Sequence, residues 1–440
     1  MDRPTNPMVV NGFVMLGATP DPDRSIEVLE ERLVNRFPRF RQRIADPLGR
    51  TPAFEDDPSF DIRGHVHRRA VPTPGDEEAL RALVGDLVTP PLDPGKPLWH
   101  AYLIEGLEDG GAAILWRIHH CIADGIALAR VLLSTADGPE PSIAPASAPE
   151  GRGALGRLLD IPRGVVSAVR GAGAAVAHEG METLAHPDHL RALAGTAARD
   201  ASTAAKLLAS RPDAESELRG SPLSGARRVA WSEPYPLDRL KEASRRMRAT
   251  INDLLVTALA AALRDHLKAN GRPPDEIHAM VPFNLRDLDE PISTDLGNDF
   301  ALILLGLPIG LMGPAERLRR VSGGMDEVKH SHEAPMSFGI LTALGLTPPW
   351  VEDRLIGFFT EKASLVVTNV PGPKEQLHFA GVPIERVLVW APCSGSLGMT
   401  VSIFSYNGEV TVGFMADTAL VDDPRQLAQA YERELRMLCE

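Results

Sequence analysis

The chain has 440 residues, enough for about two to three domains. Its 46 Lys plus Arg stand against 59 Asp plus Glu, a formal charge of −13 that excludes nucleic acid as the main partner, since phosphate binding needs a cationic face. With 44% hydrophobic and 24% charged residues, the composition excludes disordered and fibrous classes and reads as globular.

Met8 to Leu16 (MVVNGFVML) is β-branched and apolar and predicts a strand; before it, MDRPTNPMVV has neither a basic n-region nor a long apolar h-region, so no signal peptide is expected. Ser25 to Phe37 has helical spacing at Ile26, Leu29, Leu33 and Val34, with Asp23 and Ser25 as candidate caps. Asp76 to Leu87 is a second helix. Trp99–Glu105 and Ala112–His119 predict two strands joined by the turn LEDGG, and Gly125–Leu133 returns to helical spacing.

From Gly138 the texture changes. GPEPSIAPASAP (138–149) is too rich in Pro, Ala and Ser to pack a core and predicts a linker. Residues 151–220 are dominated by Ala, Gly, Arg and Leu, with broken helical patches at Leu158–Val169 and Ala204–Ser210. Arg152, Arg157, Arg163 and Arg170 beside Leu158, Leu159, Val165, Val166 and Val169 describe a weakly amphipathic basic helix. Contact with anionic lipid is one reading; a connector with a solvated face is the plainer one, because glycine weakens the helix.

Structure is expected again at Arg227 (RRVAWSE, a strand), then as helices at Asp238–Arg248 and Thr250–Leu267. In the second, Asn252 and Asp253 occupy the first turn, where they can cap, and Leu254, Leu255, Ala258, Leu259, Ala262 and Leu263 form a buried stripe. Strands are predicted at His278–Pro282, Phe300–Leu305, Leu365–Thr368, Arg386–Trp390, Gly398–Tyr406 and Glu409–Phe414, and a last helix at Pro424–Leu438. The longest apolar stretch, Phe300–Met312, is broken by Gly and Pro and is shorter than the roughly 20 residues of a membrane span. The division is therefore 1–137, a linker at 138–225, and 226–440, with each half mixing strands and helices. The expected setting is the cytoplasm, with peripheral contact to a membrane or lipid droplet left open.

Chemistry concentrates at Ile118–Gly125, IHHCIADG, where a strand delivers two histidines and the chain turns into a helix. Adjacent strand-end side chains point to opposite faces, so one of His119 and His120 is expected to work in a pocket while the other supports the structure. Imidazole suits a base because its ordinary pKa near 6.5 allows it to accept and return a proton close to neutrality. Asp124 is placed to restrain the turn, and Gly125 to permit a tight bend or close backbone approach. No metal site is expected: the next histidine, His100, lies on the preceding strand with no acidic cluster to complete a set, and Cys121, Cys393 and Cys439 include no CxxC pair. Cys121 beside His120 has poor geometry for a thiolate–imidazole pair and reads as a small hydrophobe.

HHxxxDG at a strand–helix junction resembles the signature of the CoA-dependent acyltransferase superfamily, which includes chloramphenicol acetyltransferase and the condensation domains of peptide synthetases. Over nearly its whole length the sequence is similar to the bacterial wax ester synthase/diacylglycerol acyltransferase family. The resemblance is carried by Phe40-Arg41-Gln42-Arg43, Pro97-Leu98-Trp99, Asn252-Asp253, Val281 to Arg286 (VPFNLR), Gly297-Asn298, Thr368 to Pro373 (TNVPGP), and Ser405-Tyr406-Asn407-Gly408 followed by Asp417. Two departures stand out: an LSPxDxxF-like segment that usually precedes the first strand is not in the sequence, which would leave a more open pocket, and Thr368 stands where the family loop has Ser.

The resemblance implies an α/β fold of two chloramphenicol-acetyltransferase-like domains, each a mixed sheet with flanking helices, joined by a helical linker. It implies a long-chain acyl group moved from acyl-CoA, as co-substrate, to diacylglycerol or a long-chain alcohol, with no other cofactor. His120 is then the general base, with His119 supporting it and no acyl-enzyme. Asp124 would fix the loop through an ion pair, with Arg286 as candidate partner. Asn252 either orients the acceptor or base, or caps its helix. Ser394 and Ser396 of PCSGSLG are candidates for the oxyanion donor, against the plainer reading of a glycine-rich turn. Two alternatives remain: a carrier-protein-bound acyl donor with the same chemistry, and an inactive lipid-binding protein.

Overall fold

A computed structural model describes residues 3, 5–45, 53–138, 143–144, 212–219, 221–269, 271, 273–284, 291–298, 300–330 and 356–440. The predicted helical patches at 158–169 and 204–210, the basic arginines between 152 and 170, and Arg286 lie outside the described residues.

Two sheets form the frame. The first has the order β14 (His378–Phe379), β15 (Val382–Trp390), β1 (Val9–Leu16), β6 (Ala112–His119), β5 (Trp99–Glu105) and β4 (Val66–Ala70). The second runs β12 (Phe300–Leu307), β10 (Ile277–Asn284), β13 (Leu365–Pro371), β16 (Met399–Tyr406), β17 (Glu409–Asp417) and β8 (Arg227–Trp231), with β9 (Tyr235–Pro236) also pairing with β17. Two short pairs complete the described strands: β2 (Gln42–Ala45) with β3 (Ala53–Asp56), and β7 (Ile143–Ala144) with β11 (Ile292–Ser293). The mixed α/β class is as the sequence implied. The first sheet, however, takes strands from both sides of the linker, since β15 pairs antiparallel with β1, Gly12 opposite Val389. The stretch 138–149 also contributes more than a spacer: Ile143 pairs with Ile292 and packs against the first core.

The described helices include α1 (Pro22–Leu29), α2 (Glu77–Val88), α3 (Gly125–Leu133), α4 (Leu237–Met247), α5 (Ile251–Ala269), α6 (Pro314–His330) and α7 (Pro424–Cys439). Capping corrects two sequence assignments. Asp21, not Asp23 or Ser25, caps α1, accepting from the Arg24 N–H at 2.8 Å. At α5, Thr250 and Asp253 form a reciprocal capping box, Asp253 N–H to Thr250 Oγ1 at 3.1 Å and Thr250 N–H to Asp253 Oδ2 at 2.8 Å. Asn252 has no part in it. Among the described residues no helix is long and apolar enough to cross a membrane.

Phe40 of the FRQR motif and Leu98 and Trp99 of PLW belong to one piece of core. Trp99 is fully buried and donates its indole N–H to the Phe40 carbonyl at 2.7 Å. Asp417 is also fully buried; it accepts from Ser224 and from the backbone N–H groups of Gly225 and Ala419, while Arg227 donates to Gly398, Thr5 and Asn6. This network ties the start of the chain to the second sheet.

Candidate active site

The IHHCIADG segment leaves the first sheet at β6 and is held by backbone bonds on every side. His119 N–H donates to Leu98 O at 2.9 Å, and His120 N–H to Met8 O at 2.7 Å. The His119 ring turns back into its own loop, where Nδ1 accepts from the Cys121 N–H at 3.1 Å. His120 goes the other way, into a cavity of about 110 Å³. Asp124, 3% exposed, ends the loop by capping α3, its Oδ1 accepting from the Ala127 N–H at 2.8 Å. A helix cap thus restrains the turn; Arg286, the candidate ion-pair partner, lies outside the described residues.

Gly125 departs from its predicted role. It is absent from the positive-φ residues, and a Cβ built on it meets nothing within 4 Å. Neither a bend nor a close approach requires it; its missing side chain leaves open space in the wall beside His120.

The cavity exists because the second sheet splits. β10 and β13 pair only at Ala279–Leu365 and Met280–Val366. Beyond that, β10 follows β12 to Asn284, and β13 follows β16 to Pro371. Pro282 brings no N–H to the widening gap. Pro282 and Leu302 line one side, Thr368, Asn369 and Val370 the other, and Val389, Ala391 and Ser394 close it from the first sheet and the loop after it. The lining residues are mostly apolar, the polar side chains being those of His120, Asp124, Thr368, Asn369 and Ser394.

Motifs distant in sequence meet here. The turn after β11 carries Leu296 at φ 52° and Gly297 at φ 99°, a left-handed pair that is uncommon for a leucine. It presses Gly297 against the histidine loop: Asp124 N–H donates to Gly297 O at 3.2 Å, and Gly297 N–H to Ile122 O at 3.3 Å. The next residue, Asn298, donates Nδ2–H to the His120 carbonyl at 3.0 Å. Asn252 accepts from Asn369 Nδ2 at 2.7 Å, so the ND pair steadies a cavity-lining residue of the TNVPGP strand. The sequence motifs contained Asn298 and Asn369, but nothing local indicated whom they would touch.

Ser394 lines the cavity; Ser396 is exposed and is not among its lining residues. Their loop is a glycine turn, with Gly395 at φ 56° and Leu397 N–H donating to Ser394 O at 3.0 Å. Burial pushes the neighbouring Cys393 thiol up to about 11, and all three cysteines are free. Among the described residues no cluster of His, Cys, Asp and Glu suits a metal; His100 instead shares a hydrogen bond with His67 at 3.0 Å and stacks on His65.

The electrostatics of His120 follow from this enclosure. Desolvation lowers its pKa below the ordinary 6.5, against the smaller raising effects of a hydrogen bond to its own backbone, the Asp124 charge and the Asn298 side chain. The ring is therefore held neutral at pH 7, able to accept a proton.

Residues 1–255 match the wax ester synthase/diacylglycerol acyltransferase catalytic domain, and residues 296–439 match the C-terminal domain of the same family. The chain belongs to this family. As a member of the wax ester synthase/diacylglycerol acyltransferase family it is an acyltransferase, and its similarity to relatives extends over most of both chains. It is 32% identical over 428 residues to the Mycobacterium tuberculosis protein named "Probable diacyglycerol O-acyltransferase tgs1", covering 95% of this chain and 88% of that one. In three dimensions it is similar to the wax ester synthase/diacylglycerol acyltransferase from Marinobacter aquaeolei VT8, with a TM-score of 0.67 at 21% identity over 99% of this chain and 95% of that one. The starter condensation domain of rhizomide synthetase RzmA, solved in complex with C8-CoA, shares the fold at a TM-score of 0.58 and 13% identity, covering 100% of this chain and 90% of that one.

Proposed function

We propose that this acyltransferase moves a long-chain acyl group from acyl-CoA to diacylglycerol or a long-chain alcohol, with His120 as general base. The observation that carries this reading is the His120 imidazole on the wall of a mostly apolar cavity where the two sheets meet, with burial disfavouring its charged form. An acceptor hydroxyl bound beside His120 gives up its proton as its oxygen attacks the thioester carbonyl. The tetrahedral intermediate then collapses, the C–S bond breaks, and the imidazolium returns the proton to the CoA thiolate. The reaction balances without an acyl-enzyme. Asp124 and Asn298 favour the charged ring at the moment it forms, while Asn298 and Met8 fix its backbone. Ser394 supplies a cavity hydroxyl available to donate to the oxyanion, a contribution of about 3–4 kcal/mol where such a donor is well aimed; the Thr368 hydroxyl, also in the wall, is donated to Val401 O.

The test is incubation of purified protein with radiolabelled palmitoyl-CoA and either diacylglycerol or hexadecanol. Labelled ester is expected from the wild type, falling about 10²–10⁴-fold in His120→Ala. Ester formed only from a carrier-bound thioester would refute the CoA donor. Lipid bound with no ester from any donor would refute the enzyme activity in this chain.

A further inference from the structure

Behind the catalytic cavity the first core contains a second, smaller space of about 20 Å³, room for about one methyl group or water. Its walls are apolar apart from Thr135, whose hydroxyl is already donated to Leu132 O at 2.6 Å, and the Trp116 indole, whose buried N–H has no partner among the described residues.

Two features align this void with His120. Val389 lines both spaces. One face of α3 also lines both, with Gly125 and Ile126 at the catalytic cavity and Ala129 and Leu132 at the void. From Gly125 to Leu132 the helix advances about 10 Å, the reach of several methylenes. At Gly12, opposite Val389 in the sheet, a Cβ would lie 2.7 Å from Leu132 Cδ1, so a side chain there fits only if the Leu132 tip shifts. Glycine at this position lets Leu132 lean onto the sheet.

We infer that the two spaces are one alkyl-chain channel interrupted at Val389, so that Val389 and Leu132 set how much of a linear hydrocarbon chain a substrate can place beyond His120. The inference takes its substrate class from the acyl-transfer reading above. Either a donor acyl chain or an acceptor alkyl chain has the required chemistry, and the test separates them.

Full-length wild type, Val389→Ala and Gly12→Ala are titrated with saturated fatty acids from octanoic to stearic, a binding measurement independent of turnover. The same proteins are assayed with acyl-CoAs of graded length at a fixed alcohol, and with alcohols of graded length at a fixed acyl-CoA. Val389→Ala opens the shared wall, and the preferred chain lengthens, with each newly buried methylene worth about four-fold in affinity. Gly12→Ala pushes Leu132 into the void, and the preference shortens. A turnover shift confined to the acyl-CoA series assigns the channel to the donor; one confined to the alcohols assigns it to the acceptor. Chain-length profiles unchanged in folded variants overturn the inference. A wild type that binds fatty acids without making ester sinks the catalytic reading and leaves the binding test decisive. Should Val389→Ala fail to fold, Ala129→Val fills the void from α3, and an unshortened preference overturns the inference just as well.

Discussion

Replacing Asn298 by alanine removes two influences on His120 together. It deletes the 3.0 Å bond from Nδ2 to the His120 carbonyl, and it deletes a side-chain hydrogen bond that favours the charged ring. The wild-type pKa already lies below 6.5 because burial penalises the imidazolium, so kcat/KM should rise with pH through an acid limb below 6.5 and be flat at neutrality. In Asn298→Ala the charged form loses a partner, and the limb moves to still lower pH. The plateau should fall as well, because a loosened carbonyl lets the ring wander and the imidazolium formed in the reaction is less stabilised. A neutral hydrogen bond contributes about 1 kcal/mol net, or about five-fold in rate. Asn298 is exposed, so the thermal midpoint should barely change. The measurement is kcat/KM for ester formation between pH 5 and 9 (roughly the window in which histidine titrates) beside a melting curve. A wild-type limb above 6.5 refutes the desolvation account. A limb that stays in place while the plateau falls refutes the assignment of Asn298 to the ring.

Three further outcomes follow from the same geometry. Asp124→Asn retains a good N-cap for α3 while removing the charge that raises the His120 pKa; the melting midpoint should hold and the acid limb should fall, whereas Asp124→Ala should also cost about 1 kcal/mol by denaturant titration. Gly125→Val should fold, because its side chain enters open space, but should raise KM for the bulkier substrate by filling the cavity beside His120; an unchanged KM would show that the cavity wall is not in the substrate's path. Burial and the nearby His67 and His65 lower His100 to about 4. The folded state thus holds the ring neutral, so its contribution is complete above 6.5 and is lost as pH falls from 6.5 towards 4. This amounts to up to about 3 kcal/mol before screening by solvent at the partly exposed ring. Urea midpoints across that range should flatten in His100→Phe, and a slope identical to wild type would refute the attribution.

The elements around the site were largely legible because their signals are local. Apolar runs either side of the glycine-rich LEDGG turn marked β5 and β6, and the return to helical spacing at Gly125 marked α3. Where tertiary packing overrides propensity, local reading failed. α6 carries the pair Gly323-Gly324, which weakens a helix in isolation, yet Leu318 and Val321 bury against α5 and the second sheet and hold it. β4, with the pattern VHRRA, has only Val66 buried and shows little alternation.

By itself, the sequence determined the chemistry on offer: an imidazole at a strand end, a carboxylate at a helix start, and motifs in the order of an acyltransferase family. Tertiary structure decided what that chemistry faces. The pairing of β1 with β15, the splitting of β10 from β13, the clamp of Asn298 on His120 and the pairing of Asn252 with Asn369 all involve residues more than about eighty positions apart. Local periodicity carries no record of such contacts. They are chosen when two faces of the chain bury together, and the cavity beside His120 is the space those choices leave.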